Sequence, residues 1–112
     1  MTFDELKKNK PTTSWVEYDE DGEFFTEENI SATNKILDTY INNLQHLGEN
    51  PTEDKVMQVV KEVVININEL NIEHDHFIET MEREDLYDFI DTAAQIAGLE
   101  SEEDITEEWR EW

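Results

Sequence analysis

The chain has 112 residues and contains no cysteine. Disulfide bonds and thiolate chemistry are therefore excluded, and a reducing compartment suits such a chain. Long apolar runs are missing too, because the longest one is Val63-Val64-Ile65, whereas a membrane span needs about 18 apolar residues. The lysines near the start of the sequence precede Pro11 and polar residues instead of an apolar signal segment. These absences predict a cytoplasmic protein with no membrane partner.

Glycine is scarce, with only Gly22, Gly48 and Gly98 in the sequence. A glycine-rich phosphate-binding loop is therefore excluded. The serines lack the strand–turn–helix context of a hydrolase nucleophile, and no pair of carboxylates stands out as an acid and a base. We expect a protein that is not an enzyme and needs no cofactor. A small enzyme of unknown activity remains a third alternative.

Basic residues are few, since 8 lysines and arginines stand against 30 aspartates and glutamates and give a net charge of -22. The acids concentrate in residues 17–28, with a net charge of -7, and in residues 73–112, with a net charge of -13. Such a surface repels nucleic-acid phosphates and anionic lipid, which argues against direct binding to either. It attracts a basic protein surface. The alternative is that the charge only keeps the protein in solution or reflects a salt-rich habitat.

Residues 56–70 form the most apolar stretch, and the chain is organised around it. Its apolar residues recur at steps of three and four, which favours a central helix, although Val63, Ile65 and Ile67 also alternate as in a strand. Thr52 is placed to cap this helix. Thr26 and Gly48 mark the ends of a helix over residues 27–47, and Thr80 and Gly98 mark those of a third over residues 81–97.

These patterns predict an all-α fold. We expect a compact antiparallel three-helix bundle with a short C-terminal helix and an irregular aromatic and acidic N-terminal arm. Residues 1–25 would form the arm, packed on or flanking the core, and residues 26–112 the helical domain. The central helix would be covered on several sides and would act as scaffold.

Residues 17–28 resemble the twelve-residue calcium loop of EF-hand proteins. Oxygen ligands recur at alternate positions, Gly22 occupies the turn position and a glutamate closes the loop, as Ca²⁺ coordination requires. Position one is a glutamate instead of an aspartate, and no second loop exists to pair with this one. Calcium binding is therefore the second functional alternative. Its candidate ligands are Glu17, Asp19, Asp21, Glu23 and Glu28.

The end of the sequence combines aromatic and acidic residues. Trp109 and Trp112 lie three residues apart and would share one face of a short helix. They could cover the open end of the bundle, or they could form an aromatic anchor surrounded by acids for a basic protein. On the second interpretation the partner-binding residues are Glu107, Glu108, Trp109, Glu111 and Trp112, together with Asp88 and Asp91 of the third helix.

The same region carries a resemblance. Ile78-Glu79-Thr80, Arg83-Glu84, Gly98-Leu99 and Asp104-Ile105-Thr106-x-Glu108-Trp109-Arg110-x-Trp112 are similar to the C-terminal half of a family of small acidic bacterial proteins of unknown function. The resemblance covers about the last third of the chain and implies a bacterial, cytoplasmic, helical protein. It also suggests structural roles for Arg83, Trp109 and Arg110. We expect the two arginines to pair with carboxylates and hold the end of the chain to the third helix.

The leading hypothesis is an acidic protein-interaction module of an inhibitor, immunity or nucleic-acid-mimic type. It would bind a basic protein by electrostatic occlusion, with carboxylates in place of phosphates. Neither the partner nor the oligomeric state follows from the sequence.

Overall fold

Helices account for the regular secondary structure in a computed structural model that describes residues 2–19, 25–48, 50–74, 76–99 and 104–112. In chain order they are α1 (Phe3–Lys8), α2 (Thr12–Tyr18), α3 (Glu27–His46), α4 (Glu53–Glu73) and α5 (Thr80–Ile96). The predicted all-α class and helical bundle are therefore confirmed. The strand alternative for residues 63–67 is wrong, because these residues lie within α4.

The three long helices begin and end close to the predicted residues. The side-chain hydroxyls of Thr26 and Thr52 accept hydrogen bonds from backbone amides in the first turns of α3 and α4. Gly48 and Gly98 follow α3 and α5 with φ angles of 80° and 105°, which residues with a Cβ rarely adopt. The predicted cap by Thr80 is wrong, because Glu79 precedes α5 and makes no side-chain capping bond.

The centre of the bundle is the packing of α4 on α3, which is its most extensive helix contact. Their connection is short, so the two helices run as antiparallel neighbours. The core contains Leu37 and Ile41 from α3, Val60 and Ile67 from α4, and further residues from α5. Tyr40 of α3 ties the core to α5, since its hydroxyl donates to the backbone oxygen of Ile90 at 2.7 Å.

The N-terminal arm differs from the prediction, because it contains two short helices instead of irregular chain. Both helices carry a buried side chain into the main core, Leu6 from α1 and Trp15 from α2. Trp15 stacks on Phe25, with ring centroids 5.4 Å apart, and meets Phe77 edge to face at 6.4 Å. Helices this short are unstable alone, so their contacts with the core hold them.

The predicted C-terminal helix is also absent from the described residues. Residues 105–109 form turns, and residues 110–112 are extended or irregular. Asp104 causes this local structure, because its carboxylate accepts hydrogen bonds from the backbone amide and the hydroxyl of Thr106 and from the Arg110 guanidinium. We refer to residues 104–112 below as the 104–112 segment.

Candidate protein-binding surface

Helix α5 places a row of carboxylates on the outside of the bundle. Its inward positions are apolar, and Leu86, Ile90 and Ala93 are fully buried. The positions between them point outward, where Asp88 is exposed and Asp91 is half-buried. A helix that repeats apolar residues every three to four positions presents its remaining side chains on the opposite face. We call Asp88, Asp91 and the intervening surface the α5 acidic face.

No cation of the described residues forms an ion pair with Asp88 or Asp91 of the α5 acidic face. Among the described residues, the ion pairs join Lys10 to Asp38 and Arg110 to Asp104, each at 2.8 Å. Arg83, the basic residue of α5, donates to the hydroxyl of Thr80 at 3.3 Å. The resemblance suggested that both arginines would pair with carboxylates and bind the end of the chain to α5. Arg110 instead pairs within the 104–112 segment, and Arg83 forms no ion pair with a described residue.

The pKa of Asp91 shows the effect of burial and of the neighbouring charges. Its burial raises the pKa of its carboxyl group, the hydrogen bond from Gln95 at 2.8 Å acts to lower that pKa, and the charges of Asp88 and Asp104 raise it further. The net direction is upward from the ordinary value of 3.8. Like charges that disfavour ionisation of a neighbour also create a site where an external cation is stabilised.

The 104–112 segment lies beside this face. Tyr87 of α5 has its pKa raised by burial and by Asp91, Asp104 and Asp88, and Arg110 acts to lower it. These interactions require Asp104 and Arg110 to be near the outer side of α5. Of the 104–112 segment, Asp104 and Arg110 therefore lie near Asp91 and Tyr87 of α5.

Within the segment, the predicted contact residues have different environments. Glu107, Glu108 and Glu111 are exposed, and Trp109 is half-buried against the core. Trp112 has only 9% of its surface exposed, and the Arg110 guanidinium lies 5.5 Å from the centre of its ring. The two tryptophans do not share a helical face, because the segment is not helical. Trp109 is therefore the more exposed of the two tryptophans.

The segment is attached to α4 by Asn68, which is buried. Its side-chain amide donates to the backbone oxygen of Trp109 at 2.8 Å, and its side-chain oxygen accepts from the backbone amide of Glu111 at 2.9 Å. Asn71, one turn along, accepts from the backbone amide of Ile78 at 3.0 Å and fixes the connection to α5. Sequence reasoning missed both asparagines. The available signal was their position beside buried Ile67 and Leu70, where an unpaired amide would be costly.

A second missed interaction joins the N-terminal helices to α5. The indole Nε1–H of Trp15 donates to the carboxylate of Asp85 at 3.0 Å. Trp15 is completely buried and Asp85 is half-buried, so a rigid aromatic side chain orients an acid at the surface. Nothing in the local sequence relates two residues so far apart in the chain.

The calcium candidates are only partly within the described residues. Glu17 is exposed on α2, Glu28 is exposed in the first turn of α3, and Asp19 follows α2 and accepts a hydrogen bond from the amide of Phe25 at 2.8 Å. Asp21 and Glu23 lie outside the described residues. In the part of the chain that the structure describes, no three histidines or carboxylates are grouped to hold a metal ion.

Comparison of the chain with protein-family models, curated proteins and solved structures finds no match in any of the three. Among the helices of the described residues, none has the length and apolar content needed to cross a membrane.

Asp91→Asn is expected to stabilise the protein at neutral pH. A carboxyl group whose pKa is raised by folding contributes stability that is fully present below its ordinary pKa and is lost as the pH rises through the raised value. Asparagine resembles the protonated form, so the variant and the wild type should unfold alike near pH 3 and diverge above pH 5, with the variant the more stable. Urea unfolding followed by circular dichroism across this pH range measures the difference.

Glu84→Gln is the matched control, because it removes one charge from an exposed position on the same helix. A smaller stabilisation is expected there. If Asp91→Asn were no more stabilising than the control at pH 7, burial and the neighbouring charges would not raise the pKa of Asp91.

Proposed function

We propose that this chain is a non-enzymatic protein-interaction module that binds a basic protein through the α5 acidic face and the adjoining 104–112 segment. The observation that carries the proposal is the position of Asp91 near both Asp88 and Asp104, with no ion pair to α5 among the described residues. The carboxylates would occupy a cationic site on the partner and exclude its usual anionic ligand. Such a mode of action fits an inhibitor, an immunity protein or a nucleic-acid mimic.

Electrostatics favours this interaction in two ways. A chain of net charge -22 attracts a basic protein over a distance, which accelerates association at low ionic strength. At contact, the partner's cations would relieve the repulsion around Asp91. Trp109 lies among the exposed glutamates of the segment and supplies the half-buried aromatic surface that protein interfaces often use as an anchor.

We also propose a bacterial cytoplasmic setting for this interaction. That part of the proposal rests on the resemblance of residues 78–112 to small acidic bacterial proteins and on the absence of cysteine.

Retention of a basic protein from bacterial lysate at two salt concentrations tests the proposal. The immobilised chain should retain at least one basic protein at about 0.05 M salt and lose most of it at about 0.3 M, where screening shortens the range of exposed charges. The retained protein is then purified and titrated against the double variant Asp88→Asn/Asp91→Asn. We expect its affinity to fall about tenfold or more, because two charges at the contact are lost.

The double variant Glu53→Gln/Glu62→Gln is the charge-matched control. Both glutamates are exposed in the first half of α4, away from Asn68 and the 104–112 segment. Equal losses of affinity in the two double variants would show attraction by net charge alone and would contradict a specific surface. Retention of no basic protein, or retention that ignores salt, would also contradict the proposal.

A further inference from the structure

A small groove separates the connection between α1 and α2 from the outer side of α5. Its volume is about 190 Å³, and Leu6, Pro11 and Phe89 provide its apolar lining. Asp85 and Asp88 line the same groove, since a spacing of three residues places them on one side of the helix. Sites for drug-sized ligands typically occupy about 300–1,000 Å³. A groove of this size suits a single side chain.

The carboxylate of Asp85 is held in a fixed orientation at this groove. The buried Trp15 indole donates to its Oδ2 atom at 3.0 Å, and Trp15 is itself fixed by contacts with Phe25 and Phe77. Its other oxygen makes no hydrogen bond to a described residue, and neither Asp85 nor Asp88 forms an ion pair within the described ranges. Two negative charges without an ion-pair partner among the described residues therefore adjoin apolar walls.

We propose that this groove receives an arginine side chain of the basic protein partner, an inference that rests on the function proposed above. The aliphatic part of the arginine would lie between Leu6, Pro11 and Phe89, and the guanidinium group would face Asp85 and Asp88. Arginine fits better than lysine, because its planar group offers several donors to two carboxylates and is less strongly hydrated. Charged side chains commonly bury their aliphatic stems in this way.

Charge complementarity selects this groove over a larger one on the protein. The larger groove, about 570 Å³, lies near the ends of α3 and α5 and is lined by residues such as Phe3, Leu44 and Ile96. No carboxylate of the described residues lines it. Of these two grooves, the smaller one combines apolar walls with the negative charge that a basic partner would seek.

Titration with small arginine derivatives tests the inference without the partner. The probe is N-acetyl-arginine-N-methylamide, with the lysine and the uncharged citrulline derivatives for comparison. In ¹H–¹⁵N spectra of the full chain, arginine should shift the amides of residues 85–92 and the indole signal of Trp15. Lysine should need about threefold higher concentration or more, and citrulline should give no saturable shift, because only the planar cation satisfies both carboxylates. The amides of Leu44 and Ile96, at the larger groove, should not respond.

Substitutions at two positions distinguish the contribution of the groove's shape to arginine binding from the contribution of its charge. Thr92 lines the groove and is half-buried, so Thr92→Phe should fill the groove without altering any charge and should abolish the shifts. Thr92→Ser, which leaves the groove open, should retain them. Asp88→Asn, at an exposed position that tolerates substitution, should weaken arginine binding severalfold and remains decisive if Thr92→Phe does not fold.

The inference is overturned if the arginine shifts persist in Thr92→Phe or spread equally to the exposed acids of α4. It is also overturned if the purified basic partner binds Thr92→Phe as tightly as wild type while losing affinity for Asp88→Asn/Asp91→Asn. In that case the proposed function would stand and the groove would not be the anchor. If arginine occupied the groove but no basic protein were retained from lysate, the proposed function would fail independently of arginine binding.

Discussion

Trp15→Ala is expected to reduce the free energy of unfolding by about 3–5 kcal/mol, the usual cost of truncating a large buried aromatic residue. Trp15 is completely buried, although its helix, α2, has only seven residues. The variant would lose the ring contacts with Phe25 and Phe77 and the hydrogen bond to Asp85. A domain of this size is typically stable by about 5–15 kcal/mol. The loss would therefore be a large fraction of the total, and urea unfolding followed by circular dichroism measures it.

Val16→Ala is the neighbouring control. Val16 is 52% exposed on the same short helix, so its truncation should change the free energy of unfolding little. A similar effect of both substitutions would mean that α2 is not anchored through Trp15. If Trp15→Ala unfolded at the wild-type urea concentration, α1 and α2 would not be part of the cooperative core.

Trp15→Phe tests the hydrogen bond from Trp15 to Asp85 separately from the packing of the ring. Phenylalanine keeps most of the aromatic packing but cannot donate a hydrogen bond, so the carboxylate of Asp85 would lose the group that orients it. Trp15 therefore has two roles in the protein. It holds the N-terminal helices to the core, and it positions an acid at the groove proposed to receive arginine.

The three long helices could be predicted because their signals are local. Threonine hydroxyls at residues 26 and 52 satisfy amides within the same turn, and Gly48 adopts the positive φ that ends α3. The inward face of α5 also follows from spacing alone, since Leu86 and Ile90 are buried as expected. For these elements, residues a few positions apart carry the information.

The two short N-terminal helices could not be predicted in the same way. Pro11 precedes α2, and a proline can mark either the end of one helix or the start of the next. Periodicity is weak over six or seven residues, and helices of this length depend on tertiary contacts such as that of Leu6 with the core. The deciding contacts join residues that are far apart in the sequence.

The prediction of a helix at the C-terminal end was wrong for a different reason. Its composition offers capping patterns, but Asp104 binds Thr106 and Arg110 and stabilises a turn instead. Burial acts to raise the pKa of Asp104, yet the hydrogen bonds from Thr106 and the Arg110 guanidinium outweigh it and hold the pKa below 3.8. Side chains of Asp and Thr commonly compete with helical hydrogen bonds in this way.

Only part of the candidate site could therefore be predicted from the sequence. The outward position of the acidic residues of α5 follows from helix spacing, whereas the proximity of Asp91 to Asp104 does not. The different roles of Trp109 and Trp112 do not follow from the sequence, because they depend on how the segment lies on α4. That position is set by Asn68, a polar residue within an apolar helix face.

Asn68→Ala is expected to release the 104–112 segment and to lower the free energy of unfolding by about 1–3 kcal/mol, the range for leaving buried polar groups without partners. The Asn68 side chain forms two hydrogen bonds to the segment: it donates to the backbone oxygen of Trp109 and accepts from the backbone amide of Glu111. No described residue accepts a hydrogen bond from the buried indole N–H of Trp112, so this ring adds no polar attachment of its own. Once Asn68 is truncated, lifting the segment into water would restore hydrogen bonds to the two backbone groups and supply one to the Trp112 indole.

Release of the segment should be visible as a red shift of tryptophan fluorescence and as faster amide hydrogen exchange in residues 105–112. Trp15 contributes a constant signal, because it is buried elsewhere in the core. Asn66→Ala is the control, since Asn66 is exposed on the same helix two residues away. Unchanged exchange in Asn68→Ala would show that apolar contacts of Trp109 and Trp112 hold the segment without the asparagine. Faster exchange, together with weaker binding of the basic partner, would show that α4 supports the binding surface through this side chain.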